Sequence, residues 1–340
     1  MIDFKSLLNQ KEYHFLSKNE HLKNRIILLT LGGSYAYGTN NEHSDIDIRG
    51  CVLEKPSDLV GFSKFEQIED KETDTVIYGF NKLIKLLISC NPNTIEMLGC
   101  KPEHYLYLSK EGNLLLQNRK LFLSKKCIGS FGGYAEQQIN RLNNALARDR
   151  LNQTGKENHI LNSLRNAMLS FKERYTKLKV GSITLHLDKS KKKNLDSEIF
   201  LNINLNDYPL RDFVGILEEM QNILRTYDKL NSRNRKRDNN HLDKHAMHLI
   251  RLYLMVIDIL EKEEIITYRE KDRELLLDIR NGKFRKENGT YDSSFFEMLE
   301  EYKKRFSYAA ENTSLPDNPN IKKIEEFVMD INRKIIKGEI

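Results

Sequence analysis

The sequence lacks the cysteine patterns that tie a chain to a structural metal or to disulfides. Its four cysteines, Cys51, Cys90, Cys100 and Cys127, form no CxxC pair and no zinc-finger spacing. Each is flanked by apolar or small residues, so buried free thiols in a reducing, cytoplasmic setting are expected. Long hydrophobic runs are missing too. Stretches such as LYLMVIDIL at 252–260 fall far short of the ~20 residues that span a bilayer. The first residues, MIDFKSLLNQKEYHF, have neither the basic start nor the apolar core of a signal peptide, so no membrane partner is expected. There is no Gly-Lys-Ser/Thr phosphate loop, no GxGxxG, no HExxH and no internal repeat.

What is present is a charged, globular composition. Of 340 residues, 39% are hydrophobic and 31% charged, which excludes a disordered chain and leaves room for one large domain or two ordinary ones. The net charge of +6 permits an anionic partner without demanding one.

The N-terminal part mixes strands and helices. Arg25 to Leu31 reads as a buried strand ending at Gly32-Gly33. DIDIRGCVL, from Asp45 to Leu53, alternates at first, with Asp45, Asp47 and Arg49 on one face and Ile46 and Ile48 on the other. Lys64 to Ile68 and Thr73 to Ile77 suggest a hairpin, and Phe80, Leu83, Ile84, Leu87 and Ile88 have helical spacing. Asn91-Pro92-Asn93 stops that helix, and Thr94 to Leu98 starts a short one. After about Leu121 the pattern predicts helices over 130–150, 157–179, 209–231, 241–263, 271–281, 291–312 and 320–337, with one small strand at 181–187. Pro209 suits the first position of its helix. Two basic runs, KSKKK at 189–193 and NSRNRKRDNN at 231–240, read as loops where RNA phosphates would be contacted if RNA is bound.

One stretch carries chemistry: GGSYAYGTNNEHSDIDIRG, from Gly32 to Gly50. Aspartates at i and i+2 of a strand project both carboxylates from one face, ~7 Å apart at ~3.3 Å rise per residue. That pair is unfavourable unless a cation holds it, and Mg²⁺ commonly takes one or two carboxylates plus substrate phosphates. Two such ions would neutralise a triphosphate, activate the attacking oxygen and stabilise the leaving pyrophosphate. Gly32 and Gly33 let the backbone approach a phosphate closely, and Ser34 adds a donor. Taken alone, a DxD or a GGS is most often a solvated pair or a plain turn; the combination, in order, each beside a strand, is much rarer.

Gly33-Ser34, ten intervening residues and Asp45-Ile46-Asp47 resemble the signature of the polymerase β nucleotidyltransferase superfamily. More narrowly, the stretch is similar to the RNA-repair-associated polymerase β family of bacteria and large phages. Further similar segments are DTVIYGFNKLIKLLISCNPNTIEML (74–98), GYAEQQINRL (133–142) and DKHAMHLIRL (243–252). The resemblance implies an α+β fold: a polymerase β-type catalytic domain over 1–125, with a small mixed sheet and flanking helices. A mainly helical domain over 126–340 would close the cleft and present the acceptor. It implies transfer of a nucleoside monophosphate from an NTP such as ATP to an acceptor hydroxyl, with an RNA or tRNA-like end as acceptor and Mg²⁺ or Mn²⁺ as cofactor. Gly33 and Ser34 would hold the triphosphate, and Asp45 and Asp47 the metals.

A third acid is expected from a later strand. The family pattern points to Asp74, whose own alternation sets Asp74 and Val76 on one face; Glu69 and Glu72 compete, and a solvated hairpin end is the ordinary alternative. The role of Glu96 stays open between helix capping and substrate contact, and Tyr35 and Tyr37 between packing and base stacking. In the later helix His241, His245 and His248 fall at i, i+4 and i+7, overlapped by Lys244, His248 and Arg251. A zinc site there lacks a completing acid, and a polar groove-lining face is the plainer reading. The resemblance implies that Lys244, His245, His248 and Arg251 belong to the family pattern; contact with triphosphate or a nucleic-acid backbone is the natural task of Lys244 and Arg251, and His248 is expected with them in the nucleotide site. Nucleotidylation of a protein or small molecule, and a catalytically silent RNA-binding module, are the competing functions.

Overall fold

The computed structural model describes residues 7–42, 44–149, 152–179, 181–192, 195–235, 239–287 and 289–340. Its backbone contacts divide the chain into two units. One comprises residues 1–139, 243–286 and 291–340, the other 140–242 and 287–290. The C-terminal helices fall in the same unit as the N-terminal sheet.

The first unit is built on a mixed five-stranded sheet in the order β3-β4-β2-β1-β5. These are β1 (Ile26–Leu31), β2 (Ile48–Val52), β3 (Gln67–Asp70), β4 (Thr75–Gly79) and β5 (Tyr105–Leu108). β1 runs antiparallel to both β2 and β5, whereas β2 and β4 are parallel, with Ile48 opposite Thr75. The apolar run IILLTL suits a central strand buried on both faces. Leu29, Leu31, Ile48 and Ile77 pack on one face with Leu16 and Leu22. On the other face, Leu28 and Cys51 join Phe80, Leu83 and Leu87 of the helix Phe80–Ile88. The same core takes Leu252, Val256 and Ile259 from the helix Asn239–Lys262, and Ile324 and Ile331 from Ile321–Lys337. Burial of this apolar area, at roughly 25 cal/mol per Å², is what draws the chain's last third onto the sheet.

The second unit has the helices Gln153–Arg174 and Leu210–Arg235 and a hairpin of β6 (Ile183–Lys189) and β7 (Ser197–Ile203). Its core gathers Ile160, Leu164, Ile183, Ile216, Met220 and Ile223. KSKKK starts at Lys189, the last residue of β6, and continues into the connection to β7, with Lys193 outside the described residues. The second basic run is not a single loop: Asn231–Arg235 continues the helix, Asn239 opens the next, and 236–238 lie outside the described residues. Pro209 lies one residue ahead of its helix, its carbonyl accepting from the amides of Asp212 and Phe213.

The expected mixture of a small mixed sheet and many helices is therefore observed. All four cysteines are free thiols. Among the described residues no helix is long and apolar enough to cross a membrane.

Candidate active site

The end of β1 and the approach to β2 meet at the glycine turn. The Gly32 amide donates to the Asp47 carbonyl at 2.8 Å. Gly33, opening the short helix Gly33–Tyr37, has φ +50°, in the region that favours glycine. A Cβ at Gly33 would lie 1.7 Å from Asp47 Oδ2, and one at Gly32 3.2 Å from Asp47 Cβ and 3.1 Å from Arg49 Cγ. Missing side chains thus let Asp47 and Arg49 lie directly on the turn. Ser34 follows, half-buried.

The two aspartates precede β2 instead of lying in it. The strand begins at Ile48, the first residue paired with both Leu31 and Thr75, so ladder pairing sets its start and the aspartates belong to the incoming loop. Asp45 is exposed there. Asp47 is turned inward, its side chain 19% exposed, and hydrogen-bonds the side chain of Asp74. Burial and that contact push the Asp47 carboxyl up to about 7, against the pull of Arg49.

Asp74 stands just before β4 with φ +44°, its carbonyl accepting from the Ile48 amide at 3.2 Å. Its competitors lie elsewhere: Glu69 accepts from Gln67 Nε2 at 2.5 Å, and Glu72 is exposed in the hairpin turn. Arg49 joins the acids. Its Nη2 lies 3.4 Å from Asp47 Oδ1 and 3.3 Å from Asp74 Oδ1, and Nη1 donates to the Asp74 carbonyl at 2.6 Å.

Beneath the turn is a buried polar cluster. The Tyr37 hydroxyl donates to Glu96 Oε2, and the Arg251 guanidinium lies 3.4 Å from the Tyr37 ring centre and 3.8 Å from the same oxygen. Thr267 Oγ1 donates to the Glu96 carbonyl at 2.6 Å. Burial raises the Glu96 carboxyl and Arg251 lowers it. The Glu96 side chain is therefore a buried support, while its backbone forms the C-terminal cap of the short helix Pro92–Ile95; Asn91 caps the other end, its side chain accepting from the Asn93 amide. Tyr37 is packed and not available for stacking.

Three arginines hold the loop between the turn and the acids. The Arg269 amide donates to the Tyr37 carbonyl (3.3 Å), Arg273 Nε to that of Gly38 (2.7 Å), and Arg280 Nη1 to that of Thr39. Arg280 Nη2 reaches Ser44 Oγ at 3.0 Å. Sequence reading missed them because the contacts span more than two hundred residues and no local pattern announces them. Arg49 carried a signal, since it sits two residues beyond Asp47 on the predicted face.

The helix Asn239–Lys262 supplies the second set. Lys244 is exposed, and His245 and His248 are half-buried, with the His248 ring edge-on to Tyr134 at 5.4 Å. Arg251 is 8% exposed and occupied by Tyr37 and Glu96. The His241 side chain lies outside the described residues.

Asp47 and Asp74 set two carboxyl groups side by side, the oxygen donors that Mg²⁺ commonly takes together with phosphates. Asp45 is not gathered with them, and among the described residues no three His, Cys, Asp or Glu side chains converge as a closed cage.

Residues 8–175 match the model of the family described as RlaP, RNA repair pathway DNA polymerase beta family. No curated protein and no solved structure matches the chain.

Proposed function

Because residues 8–175 carry the sequence of an RNA repair pathway polymerase β family, we propose that the protein is a nucleotidyltransferase acting on an RNA end. An acceptor hydroxyl attacks the α-phosphate of a bound NTP, the bond to the β-phosphate breaks, and pyrophosphate leaves. The observation that carries this reading is the Asp47 carboxylate lying between the Cα of Gly33 and Asp74.

Asp47 and Asp74 would hold Mg²⁺ or Mn²⁺, which neutralises triphosphate charge and favours ionisation of the attacking hydroxyl. Every other part belongs to the chain. Gly32 and Gly33 leave the turn bare, so a phosphate can approach its amides, and Ser34 Oγ donates to the same group. Asp74, the more exposed acid at 58%, orients the acceptor hydroxyl and takes its proton. Asp45, exposed on the loop, completes the acid set when the nucleotide is bound. Lys244 and His248 contact the nucleotide's phosphates or the RNA backbone. Arg251, buried against Tyr37 and Glu96, acts from beneath by holding the turn.

The test is incubation with each α-³²P-labelled NTP, Mg²⁺ or Mn²⁺ and cellular RNA, with Asp47→Asn as control. Label on RNA from the wild type alone supports the proposal. Label on protein replaces the acceptor, and no label with any acceptor removes the activity.

A further inference from the structure

The carboxylate pair already has a cation, and it is covalently part of the chain. Arg49 sends one guanidinium nitrogen to both acids at once, Nη2 standing 3.4 Å from Asp47 Oδ1 and 3.3 Å from Asp74 Oδ1. Its other nitrogen is fixed on backbone, at 3.0 Å from the Ile48 carbonyl and 2.6 Å from that of Asp74. A planar fork that sets one nitrogen on the acids and the other on backbone carbonyls is arginine's particular capacity; a lysine ammonium is a point charge on a flexible stem. The bridge holds the two acids together from one side. The arm is also reachable, its side chain 20% exposed. Its stem is held at the glycine turn, with Cγ 3.1 Å from where a Gly32 Cβ would stand.

We propose that Arg49 is the built-in counter-cation of the acid pair: a divalent ion must displace it from Asp47 and Asp74, and the freed guanidinium then turns to the nucleotide's phosphates. The proposal rests on the cation reading given above and adds a competition to it. A divalent ion and Arg49 call on the same carboxylate oxygens, so they exclude one another there. Because the stem is anchored over Gly32, the head group that leaves the acids stays beside the turn where the triphosphate binds. Arg49 would thus favour binding of metal and nucleotide together over binding of metal alone, which keeps the acids paired while no substrate is present. That places it as a positioning residue for the acids and a phosphate contact afterwards.

The test is Mn²⁺ binding to the full chain without nucleotide, followed by electron paramagnetic resonance, in wild type, Arg49→Gln, Arg49→Lys and Asp47→Asn. Circular dichroism confirms that each variant is folded. Competition predicts that Arg49→Gln binds Mn²⁺ roughly tenfold tighter. It predicts a tightening of about severalfold for Arg49→Lys too, because lysine keeps the charge and loses the fork. With Mn²⁺ saturating, Arg49→Gln is expected to bind the non-reacting analogue α,β-methylene-ATP roughly tenfold more weakly. Wild-type Mn²⁺ affinity in both Arg49 variants, with Asp47→Asn abolishing binding, overturns this inference and leaves the cation reading standing. Tightening in Arg49→Gln with wild-type affinity in Arg49→Lys reduces the effect to a field and also overturns it. Unchanged analogue binding in Arg49→Gln overturns the phosphate contact. Mn²⁺ binding that ignores Asp47, or is absent throughout, removes both readings.

Discussion

Gly33 and Asp47 touch across the turn: a single added carbon on Gly33 would stand 1.7 Å from the Asp47 carboxylate. The site's two motifs are therefore one object, since the first exists in its present shape because the second fills the space a side chain would take.

Gly33→Ala is the direct test of that contact. The methyl group must push Asp47 away, and φ +50° adds strain of about 1–3 kcal/mol. Denaturant unfolding should show a loss of that size, and nucleotidyl transfer should fall by at least as much as in Asp47→Asn. Unchanged stability and activity would contradict the packing.

Arg251→Ala separates support from substrate contact. The substitution leaves Glu96 buried without its cation and strips the face of Tyr37, at a cost of roughly 3–5 kcal/mol. Thermal unfolding of the nucleotide-free protein should record it. A residue that only touched nucleotide would leave that transition in place.

Arg280→Ala should loosen the loop that carries the acids. It removes donors to the Thr39 carbonyl and to Ser44 Oγ, and a buried acceptor left without its partner costs about 1–3 kcal/mol. We expect lower stability together with a reduced kcat, and a smaller effect from Arg273→Ala, whose side chain satisfies one carbonyl.

Asp47 also predicts a pH dependence. Its carboxyl is raised from the ordinary 3.8 to about 7 by burial and by Asp74, so the native state binds a proton that the unfolded chain has released. Stability from this group is fully present below pH 3.8 and is lost as pH rises to about 7. Urea titrations across that window, in a divalent-free buffer, should show the decline in the wild type and a flatter profile in Asp47→Asn. A wild-type profile rising from Asp47 would contradict the assignment.

Much of this was legible in the sequence, for local reasons. IILLTL has one reading, and the helix beginning at Phe80 repeats its apolar positions with clear helical spacing. The strand over Asp45–Leu53 was read too long because alternation continues past the point where pairing stops; Ile48 meets partners on both sides, and the aspartates do not. β5 is only four residues and β7 carries polar Ser197, Glu198 and Asn202, so neither announced itself beside stronger signals. Asp74 was the favoured third acid from its family-like strand, and its contact with Asp47 is set by the parallel pairing of β2 and β4. The supports at Arg269, Arg273 and Arg280 depend on where the last third of the chain packs, which no short window encodes.

The measurement that bears most directly on the central claim is pyrophosphate release from each NTP with Mg²⁺ and RNA. It compares wild type with Asp47→Asn, Asp74→Asn and Glu69→Gln. The account predicts release by wild type and Glu69→Gln, and a drop of roughly a hundredfold or more in both aspartate variants. Equal release by Asp74→Asn and wild type, or no release from any NTP, would contradict it.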